Sequence, residues 1–153
     1  MRILHLVGTL NPGGLERVAV DLAIEQQRMG HEPGVCCLSR REGILIEILE
    51  QEGIPVLEGC GGMPWMLEKA LASRLTEFRP HIVHSHVNYS LLWQARAVKK
   101  AGSPPLIVTQ HSLLSASWLG RLRSRILYRL ARPVIALHTA VSKYAANYAS
   151  QLY

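Results

Sequence analysis

The sequence has few cysteines and no long apolar run. Its three cysteines show no C-x-x-C spacing, and adjacent Cys36 and Cys37 fall in a predicted buried strand. We therefore expect no disulfide and a reducing compartment, the cytoplasm. No apolar run approaches the ~20 residues of a membrane-spanning helix, and the N-terminal run, interrupted by His5 and Gly8, is too short for a signal peptide.

Acidic residues are missing from the second half of the chain. All 11 lie between Glu16 and Glu77, whereas ten of the 17 Lys and Arg residues follow Glu77. This asymmetry favours an anionic partner, such as phosphate groups or lipid headgroups. The alternative is a solvated basic surface whose acidic counterpart lies on the other half of the same fold. Aromatic residues are few, and no stacking motif or zinc-finger spacing occurs, so we expect no nucleic-acid partner.

The chain opens with an apolar run, residues 2–7, which leads through Gly13-Gly14 into an amphipathic segment starting at Leu15. A strand that turns through glycines into a helix presents unpaired N–H groups and the positive end of the helix dipole, a site suited to phosphate. The spacing matches neither G-x-G-x-x-G nor a P-loop. The alternative interpretation is that the two glycines only form a tight turn.

Apolar strand segments alternate with amphipathic helix segments along the whole chain. Continuously apolar strands in this alternation predict one α/β domain, a doubly wound Rossmann-like parallel sheet with helices on both faces. The predicted strands are 2–7, 35–38, 54–57, 82–85, 106–109 and 139–141. The predicted helices are 15 to a stop at Gly30, 44–52, 65–78, 89–101, one from 118 that Pro133 ends or kinks, and one after Ser142.

Ligands of such sheets bind outside the carboxyl ends of the strands, which directs attention to the residues there. These are Gly13, Gly14, His84, His86, His111 and Ser142. The first two histidines share one side of a strand and, with His111, have a spacing that a metal site could use. Because no acidic residue follows Glu77 to complete it, we expect no metal. We expect instead hydrogen bonds to a polar ligand, or a core role for His84. Ser112, Ser115 and Ser117 lack the G-x-S-x-G context of a nucleophile.

Five motifs occur in an order that resembles the N-terminal domain of family 4 glycosyltransferases of the GT-B fold. They are Asn11-Pro12-Gly13-Gly14-Leu15-Glu16-Arg17, Met29-Gly30-His31-Glu32, Pro80-His81-Ile82-Val83-His84-Ser85-His86, Val108-Thr109-Gln110-His111 and Ala140-Val141-Ser142-Lys143. The resemblance covers essentially the whole chain.

The resemblance implies a retaining, metal-independent transfer of a sugar from a nucleotide-sugar donor, with no cofactor. We expect a saccharide or lipid-linked acceptor, chosen partly by loops such as residues 59–66. The resemblance places Gly13 and Gly14 beside the donor diphosphate, assigns His111 a catalytic contact with the donor sugar, and puts His86 and Ser142 on the substrate side of the cleft. Residues 1–153 then form the acceptor-side domain without the C-terminal donor-binding domain. A homodimer through the exposed cleft face is a further expectation.

The helix predicted from Trp118 carries an apolar stripe and a row of arginines. The stripe is Leu119, Leu122, Ile126, Leu127 and Leu130, and the row is Arg121, Arg125 and Arg129. A leucine stripe is most often core. The arginines favour contact with an anionic membrane surface, with the tryptophan at headgroup level. A non-catalytic module that binds an anionic ligand or a membrane surface is therefore the alternative function.

Overall fold

Six parallel strands form one sheet in the computed structural model, which describes residues 1–39, 42–58, 64–111 and 118–152. The strands are β1 (Arg2–Val7), β2 (Glu32–Cys37), β3 (Val56–Glu58), β4 (Ile82–Ser85), β5 (Leu106–Gln110) and β6 (Ile135–Ala140). Their order across the sheet is β3-β2-β1-β4-β5-β6. The direction of winding reverses between β1 and β4, so the topological switch point of this doubly wound fold lies there. The predicted fold class is confirmed.

Helices cover both faces of the sheet. They are α1 (Gly14–Arg28), α2 (Leu45–Gln51), α3 (Pro64–Phe78), α4 (Leu91–Lys100), α5 (Trp118–Ala131) and α6 (Lys143–Leu152). Apolar residues of α1 and α2 pack with Val7, Val35 and Cys37, while those of α3, α4 and α5 pack with alternate strand residues such as Leu4 and Leu6. Successive strand residues point to opposite faces, so each strand contributes to both cores. Cys36 and Cys37 are both buried, as expected, and Cys60 lies outside the described residues.

Two predicted helix ends are found where the sequence places them. Gly30 adopts a positive φ of 82°, and the N–H of His31 then donates to the carbonyl oxygen of Gln26 at 3.0 Å, which closes the end of α1. Helix α5 ends at Ala131, and Pro133 lies in the 3₁₀ turn that follows it. None of the described helices combines the length and the apolar character needed to cross a bilayer.

The last strand is longer than predicted. The sequence indicated residues 139–141, whereas β6 runs from Ile135 to Ala140. Because β6 lies at the edge of the sheet beside β5, only Ile135 is fully buried and Leu137 remains 52 % exposed. An edge strand does not show the continuous apolar pattern of the central strands, and that is why its first four residues were missed.

The apolar stripe of α5 was expected to be core, and this expectation is wrong. Leu119, Leu122, Ile126 and Leu130 are 48–60 % exposed, and Leu127 is half-buried. The helix packs instead through Tyr128 and Ala131, on the opposite side. The tyrosine ring stacks on His138, with 5.6 Å between ring centroids. The structure therefore leaves an apolar surface exposed beside the arginine row.

Part of the basic second half is neutralised within the fold. Glu68 of α3 is 4 % exposed, and its carboxylate contacts Arg96 at 2.8 Å and Lys100 at 2.5 Å, both in α4. The two cations compensate the charge of this nearly buried carboxylate across the interface between the helices. For these two basic residues, the acidic counterpart does lie on the other half of the fold.

Candidate functional site

The glycine loop and the strand-end histidines lie at the carboxyl edge of the sheet, around the switch point. Gly13 precedes α1 in an extended conformation, with φ −161° and ψ 159°, and no side chain caps the helix there. Gly14 is exposed, and a Cβ added to it would meet no atom within 4 Å. The start of α1 is therefore open and carries the positive end of the helix dipole, as an anion site requires.

Glu16 lies at this helix start and was not singled out by the sequence. A Cβ on Gly13 would clash with the Glu16 carboxylate, which therefore lies over the glycine loop. Burial lowers the pKa of His111, and the negative charge of Glu16 opposes that shift. The positive end of the helix dipole stabilises a carboxylate in the first turn. An anion bound at the start of α1 would therefore compete with Glu16 for this position.

Behind the glycine loop, four histidines from three strands form a contiguous cluster. His5 of β1 and His84 of β4 are register partners, and His86 and His111 follow the carboxyl ends of β4 and β5. The His84 and His86 rings lie 4.2 Å apart, and the His86 and His111 rings 5.2 Å apart. His5 and His86 are 0 % and 1 % exposed.

Hydrogen bonds connect three of these rings in a row. Gln26 Oε1 on α1 lies 2.8 Å from His5 Nε2, and His5 Nδ1 lies 3.1 Å from His86 Nε2. His86 Nδ1 in turn lies 3.1 Å from His111 Nε2, at the edge of the crevice. His84 takes a separate path, since its Nε2 is 2.7 Å from the Thr109 hydroxyl.

Burial keeps the cluster electrically neutral. Desolvation, together with repulsion from the neighbouring histidine rings, lowers the pKa of His84 to about 4 and that of His86 to about 2. Desolvation also lowers the pKa of His5, against the hydrogen bond that its ring donates to Gln26. It lowers the pKa of His111 as well, and Glu16 opposes that shift. At neutral pH these rings act as hydrogen-bonding groups and not as cations.

Three of the rings are close enough to share a metal ion. Ring nitrogens of His5, His84 and His86 lie within 4.8 Å of one another, whereas the sequence suggested His111 as the third ligand. A metal ion would have to replace existing hydrogen bonds, because both nitrogens of His5 and of His86 are already engaged. The hydrogen bonds account for the cluster without an ion.

The structure distinguishes the positions of the predicted site residues. Gly13 and Gly14 are exposed and His111 is half-buried, while His86 is buried and contacts His111 at 3.1 Å. Ser142 lies at the same edge beyond β6, where its hydroxyl accepts the N–H of Ala145 at 3.1 Å and caps α6. Ser112, Ser115, Ser117 and most of the 59–66 loop lie outside the described residues.

His5 and Gln26 were not predicted from the sequence. A signal for His5 was present, because a histidine in the middle of an otherwise apolar, buried strand needs a hydrogen-bond partner. The partner could not be identified, since Gln26 is one of several polar residues on α1 and only the packing of the helix on the sheet selects it.

Comparison with known proteins bears on the same residues. The family model of glycosyltransferase family 4 matches residues 12–153, which include the glycine loop, the histidines after β4 and β5, and Ser142. No curated protein matches the chain.

Solved structures share the fold at low sequence identity. HepE of Anabaena, in complex with UDP-glucose, is 23 % identical with a TM-score of 0.78 over 99 % of this chain and 40 % of its own. MurG of Acinetobacter baumannii is 12 % identical, with a TM-score of 0.64 over 91 % of this chain and 40 % of its own. The UDP-GlcNAc 2-epimerase of Neisseria meningitidis, bound to UDP-GlcNAc, is 16 % identical, with a TM-score of 0.65 over 99 % of this chain and 43 % of its own. The chain thus spans about two fifths of these proteins, and the likeness to them establishes the fold alone.

Proposed function

This chain belongs to glycosyltransferase family 4, and on that premise we propose that it forms the acceptor-side half of an enzyme that transfers a sugar from a nucleotide-sugar donor to a saccharide or lipid-linked acceptor. The transfer retains the anomeric configuration and requires no metal ion or cofactor. Because the chain spans about two fifths of its structural relatives, the donor nucleotide is bound by a second domain facing the same crevice.

The observation that supports this proposal is the convergence of two groups at the switch point. The open start of α1 supplies N–H groups and a positive dipole at Gly13 and Gly14, suited to the diphosphate of the donor. His111 supplies a neutral imidazole beside it. Neutral hydrogen-bonding groups suit the hydroxyls of a sugar, and a pre-positioned group of this kind lowers the barrier at the reacting carbon.

Each predicted site residue has a place in the proposal. His111 contacts the donor sugar, and Gly13 and Gly14 approach the diphosphate once the Glu16 carboxylate, which lies over Gly13, has moved aside. Ser142 borders the acceptor side of the crevice, and its hydroxyl also caps α6. His86 acts behind His111, since it is buried.

A transfer assay tests this function. The chain is joined to the donor-binding domain of a family 4 enzyme, and the product is analysed by NMR for the configuration at its anomeric carbon. We expect transfer with retained configuration, at an unchanged rate after EDTA treatment. An inverted product, or a rate abolished by EDTA and restored by a divalent metal ion, would contradict the proposed mechanism.

A second proposal concerns a peripheral position on the cytoplasmic face of a membrane. Its support is the exposed apolar stripe of α5, which lies next to Arg121, Arg125 and Arg129 on the same helix. Trp118, 66 % exposed at the helix start, has the amphipathic ring common at headgroup level. An apolar face flanked by arginines is the pattern of a helix that lies on an anionic bilayer.

We expect this chain to co-sediment with vesicles that contain anionic lipid, and to be released by salt. Each arginine contributes on the order of 1 kcal/mol near such a surface, so the triple variant Arg121→Glu, Arg125→Glu, Arg129→Glu should bind about 10²-fold more weakly. The matched control changes three arginines of the acidic half, Arg17, Arg28 and Arg74, to Glu. Equal binding to neutral and anionic vesicles, or equal losses in both triple variants, would disprove a specific role for α5.

A further inference from the structure

The hydrogen-bonded row from α1 to the crevice is the part of the cluster that the proposed function does not explain. The buried rings of His86 and His5 connect His111 to the side-chain amide of Gln26 on α1. Such a row has a direction, because every neutral imidazole has one nitrogen that donates and one that accepts. The direction decides which nitrogen of His111 faces a ligand.

The amide of Gln26 sets that direction. Its Oε1 can only accept, so His5 Nε2, at 2.8 Å, carries the hydrogen. His5 Nδ1 is then an acceptor, and the His86 nitrogen 3.1 Å away, Nε2, must donate to it. By the same rule His86 Nδ1 accepts, and His111 Nε2, also at 3.1 Å, donates. All three rings then adopt the Nε2–H tautomer, the form that neutral imidazole side chains prefer in water.

We propose that Gln26, His5 and His86 are positioning residues that hold His111 with its Nε2–H directed into the protein and its Nδ1 lone pair directed away from His86, into the crevice. His111 therefore presents a hydrogen-bond acceptor to the ligand. It binds a hydroxyl group, as on a sugar, and does not pair with a phosphate as a cation. The significance for catalysis rests on the proposed function, whereas the arrangement of the rings does not.

The burial of the row makes this orientation persistent. His5 and His86 are at most 1 % exposed, so water cannot replace a lost partner without opening the core. Reversing the direction would require the Gln26 amide to turn and three rings to change tautomer together. A buried row with every member satisfied is more rigid than any single hydrogen bond in it.

NMR of residues 1–153 labelled with ¹⁵N in the histidine rings tests the proposal without an activity assay. We expect couplings across the hydrogen bonds between His5 Nδ1 and His86 Nε2 and between His86 Nδ1 and His111 Nε2. His111 should show the Nε2–H tautomer. A His111 ring with the hydrogen on Nδ1, or the absence of both couplings in the folded protein, would overturn the proposal.

Two variants of Gln26 separate positioning from simple packing. Gln26→Glu keeps an acceptor oxygen and should preserve the His111 tautomer, whereas Gln26→Leu removes it and should give a mixture of tautomers. Gln26 is half-buried on α1, and circular dichroism checks that both variants fold. An unchanged His111 tautomer in folded Gln26→Leu would show that Gln26 does not set the direction.

The same two variants of Gln26 test the effect on catalysis when the chain is joined to a donor-binding domain. Gln26→Leu should lower kcat about 5-fold with little change in KM, the kinetic equivalent of one hydrogen bond, and Gln26→Glu should restore it. If the joined enzyme transfers no sugar, the proposed function fails while the ring couplings still decide the arrangement. If it transfers sugar and Gln26→Leu changes the tautomer but not kcat, the row has no role in catalysis.

Discussion

Replacing His111 by alanine in the joined enzyme lowers kcat by about 10²-fold or more, equivalent to about 2.7 kcal/mol of transition-state stabilisation. The ring borders the crevice and is neutral at pH 7, because burial lowers its pKa. A neutral ring fixed at one nitrogen by His86, at 3.1 Å, loses little entropy when the substrate binds. Its removal therefore affects the transition state more than the binding of donor, and kcat should fall more than KM rises.

A matched substitution elsewhere separates this effect from general damage. His31 lies in the turn after α1, at the opposite edge of the sheet, and His31→Ala should leave kcat within about 2-fold of wild type. Thermal unfolding of both variants should remain cooperative. A His111→Ala enzyme with near wild-type kcat would assign the ring a purely structural role.

The second large effect is a loss of stability in acid. The folded protein keeps His5 and His86 neutral, because burial lowers both pKa values, that of His86 to about 2. In the unfolded chain a histidine titrates near 6.5, so below that pH the unfolded state binds protons that the folded state does not. The contribution of each neutral ring to the free energy of unfolding is fully present above pH 6.5. It is lost as the pH falls from 6.5 towards the pKa of the ring in the folded protein.

The expected slope is large. Each ring kept neutral costs about 1.4 kcal/mol of unfolding free energy per pH unit, so these two rings alone give about 3 kcal/mol per unit below pH 6. The two rings together remove about 7 kcal/mol between pH 6.5 and pH 4, so a domain at the lower end of the usual range of roughly 5–15 kcal/mol should unfold by about pH 4. Urea titrations at pH 7, 6 and 5 measure the slope.

The variant His86→Gln should reduce this slope by about 1.4 kcal/mol per unit. Comparison of slopes, and not of absolute stabilities, removes the cost of the substitution itself. An unfolding free energy that stays constant from pH 7 to pH 5 would mean that the buried rings are protonated in the folded state.

Much of the fold could be predicted from the sequence because the central strands are buried on both faces. β1 and β4 were predicted with their observed bounds, because apolar residues predominate in β1 and open β4. Only the last two residues of β6 were predicted, because an edge strand mixes exposed and buried residues. The direction in which α5 presents its leucines also could not be predicted. Periodicity shows that a helix has two faces, but the packing surface here is built from small residues and Tyr128.

The sequence indicated candidate site residues one by one but not their arrangement. Rules for parallel sheets place Gly13, His86 and His111 at one edge, and all three are found there. The depth of each residue depends on three-dimensional packing, which is why His86 is buried behind His111. His5 and Gln26 become recognisable only when β1, β4 and α1 are assembled.

Sugar transfer by residues 1–153, alone and joined to a donor-binding domain, tests most directly whether this chain is half of a family 4 active site. Both proteins are assayed with the same nucleotide-sugar donor and acceptor, at equal concentration. The account predicts transfer by the joined protein and none by residues 1–153 alone, because the donor nucleotide is bound across the crevice. Transfer by residues 1–153 alone would contradict it.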